Sequence, residues 1–214
     1  MAVRHPAKFT SSILDLICEI LETKTVSEAR VLDPFAGTGK IHLVPRDSYG
    51  VELEPEWALL NTRTLVGNAL KLPFRDESFE VIATSPTYAN RMSDHHNAKD
   101  NSRRNTYRHS LDRPLHPENS GAMNWGAGYR GFHRLAWEEV TRVAKENAMF
   151  LLNIKNHIRK GIEVDVATFH QQTIEEIGWD LEEVYVVETP GLRDGANSDL
   201  RVDHECVYQF RRTS

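Results

Sequence analysis

The sequence predicts an α/β protein built on a doubly wound, mostly parallel sheet, and three observations lead there. Short runs of β-forming residues alternate with helical spacings along most of the 214 residues. The first such run, Ala29 to Leu32, opens into a glycine turn, Asp33-Pro34-Phe35-Ala36-Gly37-Thr38-Gly39. The next, Tyr49 to Val51, ends in an acid, Glu52. A glycine turn after one strand and an acid after the next is a nucleoside-binding signature. The glycines let the backbone approach the polar part of a ligand, and the acid accepts hydrogen bonds from ribose hydroxyls. Two rival readings of the turn fail. A dinucleotide fingerprint needs a third glycine where His42 stands, and a phosphate loop needs glycine at Pro34 and Ser or Thr at Ile41.

The elements follow in order. Thr10 or Ser11 can cap a helix that buries Ile13, Leu16, Ile17, Ile20 and Leu21. Between Gly39 and Tyr49 the chain is short and holds Pro45, so the crossover helix there is expected to be truncated or irregular. A short helix over 54–61, a strand over 62–67, a loop passing the ligand (Asn68-Ala69-Leu70 onward) and a strand over 79–84 come next. That strand runs into Ser85-Pro86-Thr87-Tyr88. Residues 89–131 lack apolar periodicity and read as one long insertion loop. Helical spacing resumes over 132–145, with Leu135, Val140 and Val143 on the buried side. A strand over 148–154, a helix over 164–177 and two last strands, 181–188 and 206–210, complete a seven-stranded sheet in a single domain spanning 1–214.

Composition narrows the function classes. The net charge of −5 argues against a generally basic nucleic-acid binder. The charge is uneven: residues 89–135 carry eight Lys or Arg against four Asp or Glu, so a polyanion is expected to meet that segment. Cys18 and Cys206 sit inside apolar patterns and read as reduced thiols. The opening residues lack a signal-peptide core and no apolar run is long enough to span a membrane, so the protein is expected to be cytoplasmic. His95, His96, His109 and His116 have no metal-site spacing, and no metal is expected.

DPFAGTG, then YGVELEPEW, then LKLPFRDESFEVIATSPTY, in this order and spacing, resembles the Rossmann-like class I S-adenosylmethionine-dependent methyltransferases. More narrowly it is similar to the DNA amino-methyltransferases that act on cytosine N4 or adenine N6. The opening HPAKF resembles the family segment that packs against the methionine end of the cofactor. The later stretches RVAKENAMFLLNIKNHIRKG and RVDHECVYQF look like its fifth and seventh strands, the latter the C-terminal antiparallel strand.

The resemblance implies S-adenosylmethionine as cofactor. It would be held by Lys8, Phe9, Asp33, Pro34, Phe35, Ala36, Gly37, Thr38 and Gly39, with Glu52 on the ribose, Leu53, Ala69 and Leu70 along the adenine, and Asn68 on its amino group. Asn68 stands where the family often has Asp, and its side-chain oxygen accepts the same hydrogen bond. Ser85, Pro86, Thr87 and Tyr88 would be the catalytic tetrapeptide, with Ser85 also lining the cofactor. The lone pair of a base amino group is delocalised into the ring. Catalysis therefore needs acceptors that bind the amino hydrogens, here the Ser85 side chain and the Pro86 carbonyl, and an aromatic, Tyr88, that stacks on a flipped base. The usual tetrapeptide has proline where Thr87 stands, and a proline would hold Pro86 extended.

DNA is the partner the resemblance implies, and the serine leans towards cytosine N4. Arg91, Arg103, Arg104, Arg108 and Arg113 would grip phosphates, while Tyr107, Trp125 and Tyr129 would stack on bases. Adenine N6 of DNA, a guanine N2 of transfer RNA, and a catalytically silent, cofactor-binding partner subunit remain alternative readings.

Overall fold

In the computed structural model, residues 5, 9–91, 106–159, 161–188 and 202–213 are described, with the backbone alone at 91 and 159. The sheet strands are β1 (Arg30–Asp33), β2 (Asp47–Glu52), β3 (Thr64–Val66), β4 (Phe79–Thr84), β5 (Ala144–Ile154), β8 (Trp179–Glu188) and β9 (His204–Arg212). Their order is β3-β2-β1-β4-β5-β9-β8, a seven-stranded sheet as expected. Pairs from β3 through β5 are parallel, and β9 lies antiparallel between β5 and β8. The strand order reverses between β1 and β4, so the crevice for a ligand lies outside their carboxyl ends, at Asp33 and Thr84.

Period-two alternation sends successive residues to opposite faces. Val31, Val81, Ala83, Met149, Leu151 and Val207 face helix α1 (Ser11–Lys24), which buries Ile13, Ile17, Ile20 and Leu21 against them. Leu32, Ile82, Phe150, Leu152 and Phe210 face helices α4 (Ala127–Val143) and α5 (Val166–Glu176), meeting Trp137, Val140, Val143 and Ile174. Thr10 is the residue that caps α1, its Oγ1 accepting from the Ile13 amide at 3.3 Å. The expected helix after the glycine turn is a single 3₁₀ turn, Lys40–Leu43. One face of the sheet therefore rests largely on α1.

Three expectations are corrected. Helix α4 starts at Ala127, and its buried stripe is Tyr129, Phe132, His133, Ala136, Trp137, Val140 and Val143. Leu135 lies off that stripe and is 55% exposed. Within the expected insertion loop, residues 106–126 are ordered against the domain: Thr106 caps a short helix α3 (Tyr107–Leu111), and Ser120–Ala122 forms a 3₁₀ turn. The reason is a buried acid on β2's flank. Glu54, fully buried at the start of the short helix α2 (Pro55–Ala58), accepts from the His116 amide at 2.8 Å and from Asn119 Nδ2 at 2.9 Å. The Arg113 guanidinium lies 2.7 Å from it as an ion pair, and forks onto Glu56 at 2.8 and 2.5 Å. A buried carboxylate without partners is costly, so it recruits this segment.

A second small hairpin, β6 (His157–Arg159) with β7 (Ile162–Val164), follows β5 and has no counterpart in the sequence reading. Asn156, just before it, accepts from the amides of Val166 and Ala167, each at 2.9 Å, while Asp165 accepts from Thr168 at 3.1 Å. Three of the four orphan amides at the start of α5 are thereby satisfied. Asn156→Ala is expected to cost about 1–2 kcal/mol in urea melts. A loss below a few tenths would mean water replaces the cap.

Candidate active site

The site is built from the carboxyl ends of β1, β2 and β4. Gly37 and Gly39 have φ of +52° and +74°, the left-handed region that disfavours a Cβ. A Cβ on Gly39 would come within 2.7 Å of His42 Cδ2, and one on Gly37 would touch the His5 ring at 3.4 Å. His42 is itself fixed, Nδ1 on Ser48 Oγ at 3.0 Å and Nε2 on Thr64 Oγ1 at 2.9 Å. Burial pushes its pKa down to about 4, so it is a neutral bridge between β2 and β3.

Two buried carboxyls flank the turn. Asp33 Oδ1 accepts from the Phe35 amide at 3.0 Å and from Thr84 Oγ1 at 2.6 Å. Glu52 accepts from the Gly37 amide at 2.9 Å and the Glu54 amide at 2.8 Å. Burial raises the pKa of each to about 7, against these hydrogen bonds, which favour the ionised form. The remaining turn residues are placed as follows. Pro34 and Ala36 are buried, Thr38 is half-buried, and Phe35 packs edge-on to Trp137 at 5.7 Å and beside Phe132 and His133.

The other expected cofactor contacts divide. Leu53 is half-buried beside Glu52, and Ala69 and Leu70 pack with Phe35, Met123 and Phe132. Asn68 Oδ1 accepts from the Leu70 amide at 2.9 Å and its Nδ2 donates to Glu118 at 3.2 Å, leaving one lone pair of Oδ1 for a ligand. Phe9 belongs to the core under α1. Lys8 lies outside the described residues. From that opening segment it is His5 that reaches the turn, with its ring 4.1 Å from Trp57.

The tetrapeptide follows Thr84 directly. Ser85 Oγ accepts from Asn153 Nδ2 at 3.4 Å, and the same amide donates to Glu205 at 3.2 Å. Asn153 is buried on β5, and its Oδ1 has no hydrogen-bond partner among the described residues. Pro86 is buried, and Tyr88 is half-buried against the core. Thr87 is held at both ends: its hydroxyl meets Ser120 Oγ at 2.6 Å, and its carbonyl accepts from Tyr129 Oη at 2.7 Å.

Tyr107 and Tyr129, expected to stack on bases, are corrected. Tyr107 is buried against Trp57, and Tyr129 is fully buried among Trp125, His133 and His170. Arg113, half-buried, is committed to ion pairs with Glu54 and Glu56. Arg108 is exposed, and Trp125 is half-buried under the Arg130 guanidinium at 5.8 Å. The Arg91 side chain, Arg103 and Arg104 lie outside the description. Asn153, His170, Ser120 and Glu54 were missed. Asn153 carried a signal, a lone polar residue in the apolar run 148–154. Among the described residues no group of three His, Cys, Asp or Glu could hold a metal ion, and no helix is long and apolar enough to cross a membrane.

No protein-family model matches the chain, and no curated protein matches it. Solved structures do. A SAM-dependent methyltransferase from Methanosarcina mazei aligns with a TM-score of 0.58 at 12% identity, covering 91% of this chain and 97% of that one. The 1,6-didemethyltoxoflavin-N1-methyltransferase of Burkholderia thailandensis, solved with S-adenosylhomocysteine, aligns at 0.53 and 12%, covering 94% and 78%. The chain has the fold of these SAM-dependent methyltransferases. The [4+2]-cyclase SpnF also aligns, at 0.55 and 12%, covering 98% and 85%, so activity has to be argued from the site.

The raised carboxyls give a stability prediction. Asp33 binds its proton more tightly folded than unfolded, so its contribution is complete below about pH 4 and is lost as pH rises through about 7. Asp33→Asn keeps the acceptor and removes the titration. Relative to the wild type, the variant is expected to gain at least about 1 kcal/mol between roughly pH 5 and 8 in denaturant melts. A constant difference would show that Asp33 is ionised throughout.

Proposed function

We propose that the protein is an S-adenosylmethionine-dependent methyltransferase that acts on an exocyclic amino nitrogen of a base in DNA, with cytosine N4 as the target. One observation carries the reading. Asp33 Oδ1 ties the Phe35 amide of the glycine turn and the Thr84 hydroxyl, the residue before Ser85, to a single atom. The turn that suits a nucleoside cofactor and the serine that suits an amino group are thereby held beside each other.

The residues fit the cofactor. A left-handed glycine pair gives close backbone approach, and two buried carboxyls await a cation and hydroxyl donors. When bound, S-adenosylmethionine supplies an electrophilic methyl on a sulfonium. Ser85 Oγ, fixed by the Asn153 amide, and the Pro86 carbonyl accept the amino hydrogens and turn the nitrogen lone pair out of conjugation. Tyr88 supplies the stacking face. Arg108 and Arg130 are exposed and take phosphates in this reading. The basic residues among 91–104 lie outside the described residues and are assigned the same role from sequence alone. The two restraints on Thr87 support a working tetrapeptide over a silent, cofactor-binding module.

Transfer of labelled methyl groups from S-adenosylmethionine to unmodified duplex DNA and, in parallel, to transfer RNA, read by nucleoside mass spectrometry, tests the reading. Label in 4-methylcytosine is the expected result. Label in 6-methyladenine keeps DNA and changes the base, label in RNA alone changes the substrate, and no label in either overturns the reading. Ser85→Ala and Tyr88→Ala are each expected to lower kcat by about 100-fold while cofactor affinity changes less than about threefold. Parallel loss of cofactor binding would remove them from catalysis. Because a cation beside Asp33 and hydroxyl donors on Glu52 would each lower a pKa from about 7, cofactor affinity is expected to rise between about pH 6 and 8, with proton release seen by calorimetry in two buffers.

A further inference from the structure

Behind the tetrapeptide lies a chain of hydrogen bonds whose direction is forced at every link. Trp137 Nε1 has only a proton to give, and it donates to His170 Nδ1 at 3.0 Å. His170 is fully buried, and burial pushes its pKa down to about 3, so the ring is neutral and its one proton sits on Nε2. Nε2–H therefore donates to Tyr129 Oη at 3.0 Å. The Tyr129 hydroxyl proton is left to donate to the Thr87 carbonyl at 2.7 Å. On the other side, the Thr87 and Ser120 hydroxyls meet at 2.6 Å.

Residue 87 matters because the Pro86 carbonyl is the expected acceptor for the target amino group. The peptide that carries this carbonyl turns with the backbone angles on either side of it, ψ of Pro86 and φ of Thr87. A proline at 87 would fix φ near −65° and keep Pro86 extended through its ring. Threonine has no such ring, yet its carbonyl and its side chain are each pinned to a rigid element, α4 and the 3₁₀ turn at 120–122. Tyr129 is rigid in turn, wedged against the His133 ring at 4.3 Å and the Trp125 ring at 5.2 Å.

We propose that Tyr129, oriented by His170 and Trp137, acts together with Ser120 as a set of positioning residues that hold Ser85 to Tyr88 in the reactive geometry, in place of a second proline. The inference rests on the methyltransferase reading for its consequence in catalysis, and on the hydrogen bonds alone for its consequence in backbone mobility.

The test uses the full chain and four proteins: wild type, Tyr129→Phe, Tyr129→Phe with Ser120→Ala, and that pair with Thr87→Pro. Three readings are taken on each: methyl transfer to unmodified duplex DNA and transfer RNA, cofactor affinity by calorimetry, and hydrogen–deuterium exchange of the peptide covering 84–91. Tyr129→Phe is expected to lower kcat at least tenfold, with KM for cofactor within twofold, and to speed exchange in that peptide. The double variant falls further, and adding Thr87→Pro restores most of kcat. A loss that Thr87→Pro does not restore, or unchanged kcat and unchanged exchange in Tyr129→Phe, overturns the proposal. Should the wild type methylate neither nucleic acid, the functional reading fails by itself. Exchange then decides the positioning claim: faster exchange in the variants supports it and unchanged exchange overturns it.

Discussion

The structure depends on one carboxyl oxygen. Asp33 Oδ1 sits at the point where strand order reverses and accepts from the Phe35 amide on one side and the Thr84 hydroxyl on the other. Burying a carboxyl there opposes its charge, and two good donors answer that cost only in part, as its raised pKa records. The compromise leaves the group responsive to a cation. It also means the glycine turn and residues 85–88 cannot drift apart without breaking a buried hydrogen bond, so the spacing between them is set by the sheet itself.

A second layer of buried polarity supports the first. Trp137, His170 and Tyr129 form a satisfied chain inside an aromatic cluster, whereas His133, packed at tilted or edge-on angles among Phe35, Tyr129, Phe132 and Trp137, has both ring nitrogens buried without a hydrogen-bond partner among the described residues. Burial holds His133 well below its ordinary pKa, so it packs as a neutral ring. An apolar ring of that size would avoid two unsatisfied atoms. Such a cost, beside the glycine turn's Phe35 and against Tyr129, is of the kind found where a local demand overrides packing.

Much of the sheet was legible because strands buried on both faces announce themselves as apolar runs, as in 79–84 and 148–154. The glycine turn was legible because its geometry admits few residue types. The span 106–126 was not, since its order derives from Glu54, some sixty residues upstream of its contacts, and a tertiary partner leaves no periodic trace. Helix α4 was read short because its first turns are glycine-rich and its buried stripe runs through Tyr129 and His133, residues that look polar. Leu135 is hydrophobic but lies off the spacing of Ala136, Val140 and Val143 that sets the buried stripe. Asn153 stood out as a lone polar residue in an apolar run, whereas His170 differs from an ordinary surface histidine only in what it touches.

The reliance of one sheet face on α1 has a consequence for how the chain is made. Ile13 and Ile17 share a core with Val207 of β9, and Lys24 Nζ donates to Gln209 on that strand at 3.1 Å. Helix α1 is synthesised before β9, so its contacts with that strand form only once β9 has been made. Val31, Val81, Ala83, Met149 and Leu151 offer α1 an apolar face earlier, but that face stays uncovered along its β9 edge until Val207 arrives, so packing there is a long-range contact of the slow-forming kind.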